Sequence, residues 1–279
     1  MKPIFFRIMV LFFVILESFT PIAPEFQGQA YYFSKSKMEL GRWGARMSEA
    51  QKKQVEARLK NRLEKTYILS FNKEASVFKE EDKIDAISGA TDSWGKNFAR
   101  GEQYKNVKNN ELVQSQEFYG KKFLVKDSLY TIKWNMGKES KKIGQYMCFK
   151  ATASVPTSEL TWYDFSWSEL RRQNTAQKPD STGTTPEPTI EMTEVEAWYT
   201  PQIPVSHGPG EYYGLPGLIL EVSAGNTTML CAKIVMNPKE KIIIEAPTRG
   251  KEITKKKYKE TIIGKMVEMR NMRGRRRGR

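Results

Sequence analysis

Apolar and polar positions repeat along this chain with two periods. Between residues 48 and 64 the period is about four. Val55, Leu59 and Leu63 form a thin apolar stripe on an otherwise charged segment, which predicts a surface helix from Glu49 to about Glu64 capped by Ser48. From Tyr67 onward the period shortens to two, the signature of half-buried strands. Strands are expected at Tyr67–Phe71, Ser76–Lys79, Tyr104–Val107, Glu111–Tyr119, Lys122–Val125 and Tyr130–Trp134. The series continues at Gln145–Ala153, Thr193–Thr200, Leu218–Val222, Thr227–Met236 and Lys241–Ala246. A last helix, about Thr254 to Met272, places Ile262, Ile263, Met266 and Met269 on one face.

Turn chemistry supports these assignments. Asn72-Lys73-Glu74 reverses the chain after the first strand, Gly120-Lys121 joins two later ones, and Gly225-Asn226 suits a primed hairpin turn. Pro238 presets φ for the reversal at Asn237–Glu240. Leu215-Pro216-Gly217-Leu218 reads as a type II turn, with Pro216 second and Gly217 third. Short links between successive strands make antiparallel neighbours. The expected class is therefore α+β, mainly antiparallel β: one large curved sheet or half-barrel of about ten strands with an N-terminal and a C-terminal helix. Such a sheet must cover its apolar face, and the C-terminal helix is the natural cover. By analogy the arrangement is that of bacterial lipoprotein carriers, whose half-barrels cup apolar ligands.

The first residues change the compartment. Lys2 and Arg7 precede an apolar run, Ile8 to Leu16, and Gly28-Gln29-Ala30 offers a small-x-Ala cleavage pattern. That run is short of the roughly 20 residues a permanent span needs. Residues 1–30 are thus expected to be a cleaved signal peptide, with the mature chain in the periplasm or cell envelope. The mature chain reads as one domain over 31–269, with mobile excursions at 83–101 and 171–188. The second of these is nearly free of apolar residues. In an oxidising compartment the two cysteines, Cys148 and Cys231, favour one disulfide closing 83 residues of chain. In the chain-entropy account that is worth roughly 4–5 kcal/mol. Two separate buried thiols are the alternative.

Charge adds a partner class. The net charge is +14, and the 270–279 tail supplies six arginines without an acid, leaving +8 elsewhere. In an exported chain this points away from nucleic acid. Contact with anionic lipid or lipopolysaccharide through the tail is expected instead.

Three blocks extend the reading beyond periodicity. They are Ile143-Gly144-Gln145-Tyr146-Met147-Cys148-Phe149-Lys150-Ala151; Ala197-Trp198-Tyr199-Thr200-Pro201-Gln202-Ile203-Pro204, followed by Ser206-His207-Gly208-Pro209; and Gly214-Leu215-Pro216-Gly217-Leu218-Ile219. In this order they resemble the GLPGLI family of Bacteroidetes envelope proteins, whose name is the last block. The resemblance implies an exported β-rich protein and carries no biochemistry with it.

Catalysis finds little footing. His207 is the only histidine, so a multi-histidine metal site is impossible, and no Gly-x-Ser-x-Gly elbow appears. His207 with Glu211 would give two metal ligands at most. Gly89–Asn97 departs from a phosphate loop in spacing and in its last residue. Asp164 and Glu169 lie among Trp162, Tyr163, Phe165 and Trp167, a pattern that suits either a local aromatic patch or a sugar site. Candidate ligand contacts are Trp162, Trp167, Trp198, Tyr199, His207, Tyr212 and Tyr213. No cofactor and no metal are expected. The expected function is non-enzymatic: binding, or chaperone-like holding, of an apolar or peptide ligand, with outer-membrane transport components as partners. A hydrolase acting on envelope glycans or peptides is the alternative.

Overall fold

The computed structural model describes residues 26–37, 44–81, 97–176 and 190–277. Residues 1–25 of the expected leader, and 83–96 and 177–188 of the two expected excursions, lie outside the described residues. In chain order the strands are β1 (Gln27–Ser36), β2 (Glu64–Asn72), β3 (Ala75–Glu80), β4 (Gln103–Asn106), β5 (Glu111–Phe118), β6 (Lys121–Ser128), β7 (Asn135–Ile143), β8 (Tyr146–Pro156), β9 (Met192–Thr200), β10 (Leu218–Ala224), β11 (Thr227–Met236) and β12 (Lys251–Ile253). The helices are α1 (Glu49–Leu63), α2 (Thr157–Leu160), α3 (Trp167–Ala176) and α4 (Lys255–Arg277).

All strands belong to one open sheet of twelve, in the order β12-β6-β5-β4-β3-β2-β1-β11-β10-β9-β8-β7. Two meanders, β2 to β6 and β7 to β11, run outward from β1, which pairs antiparallel with β2 and with β11. Only β12 pairs in parallel, on β6. The class expected from periodicity, mostly antiparallel β with few helices, is the class observed, but the sheet has twelve strands rather than about ten.

Three strands gave no apolar alternation to find. β1 overlaps the expected cleavage site: Ala30, the residue before the expected cut, is fully buried and sits opposite Leu69 and Ile234. β7 (Asn-Met-Gly-Lys-Glu-Ser-Lys-Lys-Ile) is an exposed edge strand held to β8 by backbone pairing, and its lysines blunt that edge. β12 is three residues long. Conversely, Tyr130–Trp134 and Lys241–Ala246 are not strands. The Tyr130–Trp134 alternation is real, since Ile132 and Trp134 pack on the core, but its backbone joins no ladder.

Local chemistry explains the elements that do form. Ser48 and Gln51 make a reciprocal capping box at α1. Asn72 Oδ1 accepts from the amides of Glu74 (2.9 Å) and Ala75 (2.7 Å), closing the β2–β3 turn. The β5–β6 hairpin turns at Tyr119 (φ 47°) and Gly120 (φ 77°), one residue earlier than expected, as a primed turn requires of both positions. α4 continues through Arg277, so most of the arginine-rich end is helical. Among the described residues no helix is long and apolar enough to cross a membrane.

Two apolar clusters form the core. The larger joins Tyr32, Leu69, Phe71 and Phe78 to residues of β8–β11 and the β9–β10 loop, including Ile203, Leu215 and Ile219. The smaller lies under α4, where Tyr258, Ile262 and Met266, four residues apart, pack with Phe98, Phe118, Phe123, Val125 and Trp162. Cys148 and Cys231 are free thiols, not a bridge. Their strands are separated in the sheet by β9 and β10, and each thiol donates to a nearby carbonyl, Tyr146 O at 3.7 Å and Lys233 O at 3.5 Å. Burial pushes their pKa values up, to about 11 for Cys148 and about 12 for Cys231.

Candidate functional site

The segment 201–217, between β9 and β10, carries the sequence's most distinctive block and folds inward. Its amides and carbonyls are used locally: Leu218 N–H donates to Ile203 O (3.0 Å), Ile219 N–H to His207 O (3.0 Å) and Gly214 N–H to Ser206 O (3.1 Å). The expected type II turn is absent. Gly217 does not have positive φ; its N–H instead closes a three-residue turn on Leu215 O at 2.8 Å. Glycine is required there for closeness, because a Cβ would lie 2.2 Å from the Thr200 carbonyl oxygen.

A lysine from across the sheet clamps this loop. Lys105, on β4, is fully buried, and its Nζ donates to the carbonyls of Gly208 (2.9 Å), Gly210 (2.5 Å) and Tyr212 (3.0 Å). Three carbonyls match the three donors of an ammonium group, and a neutral amine would leave one unserved. Burial pushes the Lys105 pKa down to about 7, while Glu211 draws it upward and Arg100 pushes it further down. Beside it Arg100 Nη2 lies 2.6 Å from Glu211 Oε2, with both side chains less than a tenth exposed. That pair is a contact of charges rather than an aligned hydrogen bond. The aligned bonds run from Gln103 Nε2 to Glu211 Oε1 (3.1 Å) and from Arg100 Nη2 to the Tyr163 hydroxyl (2.9 Å). Burial works against the Arg100 charge, but Glu211 and Tyr163 outweigh it and its pKa rises.

His207 belongs to the same clamp. Its Nε2 is 3.0 Å from Asn72 O, and a carbonyl can only accept, so Nε2 carries a proton and donates it there. Nδ1 has no partner among the described residues. Burial, and secondarily the Lys105 charge, push its pKa down to about 3. The loop is thus a buried, charge-bolted strut, with no open face at His207.

The other sequence candidates are dispersed. Tyr212 and Tyr199 sit in the larger core cluster. Tyr213 is half-buried, and its carbonyl accepts from Trp134 Nε1 at 2.8 Å. Glu196 and Trp198 share the other face of β9. There Trp198 Nε1 donates to Glu196 (2.9 Å) under the ammonium of Lys141, 4.2 Å from the ring. Trp162 is buried against Tyr258, and Trp167 packs on Phe165 with the Arg270 guanidinium 4.8 Å above it. Trp162 and Trp167 therefore help seat α4, which Lys259 ties down by donating to Asp164 O at 2.7 Å.

An open cleft lies elsewhere, between the β5–β6 hairpin, β12 and α4. It is a cleft of about 770 Å³ lined by Phe118, Tyr119, Phe123, Ile253 and Met269, with Lys121, Lys251, Lys257 and Lys265 around them. The α4 wall is Lys257, Thr261, Lys265 and Met269, a four-residue stripe adjacent to the buried stripe of Tyr258, Ile262 and Met266. Of these, sequence reasoning placed only Met269 on an apolar face. A smaller polar pocket of about 230 Å³ opens at Ser34, Lys65, Tyr67 and Arg100. Among the described residues no group of three or more His, Cys, Asp or Glu stands ready to hold a metal.

With this geometry in place, residues 134–221 match a family described as a protein of unknown function (Porph_ging). The matched stretch contains every block that carried the GLPGLI resemblance. No curated protein matches the chain. Two solved structures of PNGF-II, in C2 and P21 crystal forms, are similar at 16% and 15% identity, each with a TM-score of 0.48. Each match takes in 85% of this chain but only 32% and 33% of the other, so the chain spans about a third of their length.

Proposed function

We propose that this chain is an exported, non-enzymatic binding or chaperone-like protein of the periplasm or cell envelope. It holds an apolar or peptide ligand and serves outer-membrane transport. The observation that carries the proposal is the cleft: about 770 Å³, apolar along Phe118, Phe123, Ile253 and Met269, and open to solvent. A volume of this order is that of small-molecule sites. The sheet reads as a half-barrel of the lipoprotein-carrier kind, since one loop touches both β4, through Lys105, and β10, through Ile219. The polar groups a hydrolase would recruit, His207 and Glu211, are occupied in the clamp. The arginine-rich end of α4 supplies the contact to anionic lipid or lipopolysaccharide.

The leader of such an exported protein ends upstream of Gln27, because a cut after Ala30 would strip Gln27–Ala30 from the central strand. Periplasmic expression followed by N-terminal sequencing and native mass spectrometry tests the proposal. A mature chain retaining Gln27 with a copurifying apolar or peptide ligand is expected. An uncleaved cytosolic chain that binds no neutral apolar probe would overturn it.

A further inference from the structure

We infer that the cleft beside α4 takes an anionic single-chain amphiphile, a long-chain carboxylate. Its chain lies along Phe118, Phe123, Ile253 and Met269, and its head lies among the lysines. The inference rests on the carrier reading and narrows it to a ligand class. Charge complementarity decides the class. Four lysines line the cleft and only one carboxylate does, Glu252, which is already paired with Lys126. Lys257 and Lys265 have carboxylates one helical turn away, Glu260 at 3.5 Å and Glu268 at 2.6 Å, in exposed pairs that solvent screens. Lys121 and Lys251 have no acidic partner among the described residues, and both are exposed.

The apolar side is equally specific in kind. Phe118 and Phe123 are almost fully buried at the floor, while Tyr119, 43% exposed, stands at the rim in the β5–β6 turn. A neutral lipid would leave the ammonium rim unused. A peptide would need acceptors spaced along its backbone amides, whereas the cleft's one carboxylate, Glu252, is already paired with Lys126 and four of its lining side chains are ammonium donors. A carboxylate on an acyl chain uses both surfaces at once, with apolar burial supplying affinity and the ammonium groups attracting the head.

The test is displacement of the neutral fluorophore N-phenyl-1-naphthylamine from the full chain by palmitate and by hexadecanol, which share a chain and differ in head. Palmitate should compete more strongly. Lys251→Gln combined with Lys257→Gln should weaken palmitate by about tenfold and leave hexadecanol unchanged. Both positions are exposed, and an unchanged melting temperature verifies folding. Equal competition by the two ligands, insensitive to the lysine changes, overturns the anionic-head inference and leaves the carrier reading standing. Probe binding that survives Thr261→Trp, which fills the cleft, overturns the placement. A chain that binds no probe overturns the carrier reading itself.

Discussion

The β9–β10 loop and the α4 cleft are opposites in construction. The loop encloses a histidine, a lysine, an arginine and a glutamate and turns their charges and hydrogen bonds inward, onto groups of the chain itself. The cleft leaves apolar surface open to solvent and surrounds it with four ammonium groups, two of them without an acidic partner among the described residues. The distinctive sequence block sits in the first, and room for a ligand sits in the second. A conspicuous motif can therefore mark where a fold is locked rather than where it acts. Burying unpaired polar groups costs free energy, so a loop that crosses the core demands particular residues, whereas a greasy cleft tolerates many.

The contrast breaks most readily at Lys105. Replacing it with Met leaves three buried carbonyls without their donor, and stability should fall by about 3–5 kcal/mol in urea unfolding. A loss below about 1 kcal/mol would mean that the loop holds itself. Next is Gly217→Ala, whose methyl meets the Thr200 carbonyl at 2.2 Å. A loss of about 1–3 kcal/mol is expected from overpacking.

His207 sharpens the comparison through pH. Its folded pKa of about 3 lies below the ordinary value of 6.5, so below pH 6.5 the unfolded chain takes up a proton that the folded chain refuses. The stability present above pH 6.5 is lost as pH falls toward 3, by about 2 kcal/mol between pH 6.5 and 5. Because this is the only histidine, His207→Gln should flatten that window, and an unaltered slope would place the effect elsewhere.

The smallest effects belong to the cysteines and the cleft. Cys148 and Cys231 should resist alkylation at pH 8 in the folded chain and both label after unfolding without reductant; a bridged pair would label at neither. Lys121→Gln or Lys251→Gln should change stability by less than about 0.5 kcal/mol.

Much of the fold was legible because strands β2 to β6 and β8 to β11 carry alternation or buried apolar runs bounded by turn residues. β7 was invisible because an edge strand facing solvent on both sides needs no apolar code. β1 was hidden by a small-residue pattern that reads as a cleavage site. The candidate site was much less legible. Lys105 reads as an ordinary strand lysine, and only the distant loop it clamps explains its burial. The α4 stripe Lys257-Thr261-Lys265-Met269 looks polar until β12 is placed beside β6.

The division between clamp and cleft is tested most directly by titrating N-phenyl-1-naphthylamine into Thr261→Trp and into His207→Gln, both checked for an intact fold at pH 7.5. Thr261→Trp should lose binding while keeping its melting temperature, and His207→Gln should bind as the parent does. Binding kept by Thr261→Trp and lost by folded His207→Gln would return the site to the β9–β10 loop and contradict the account.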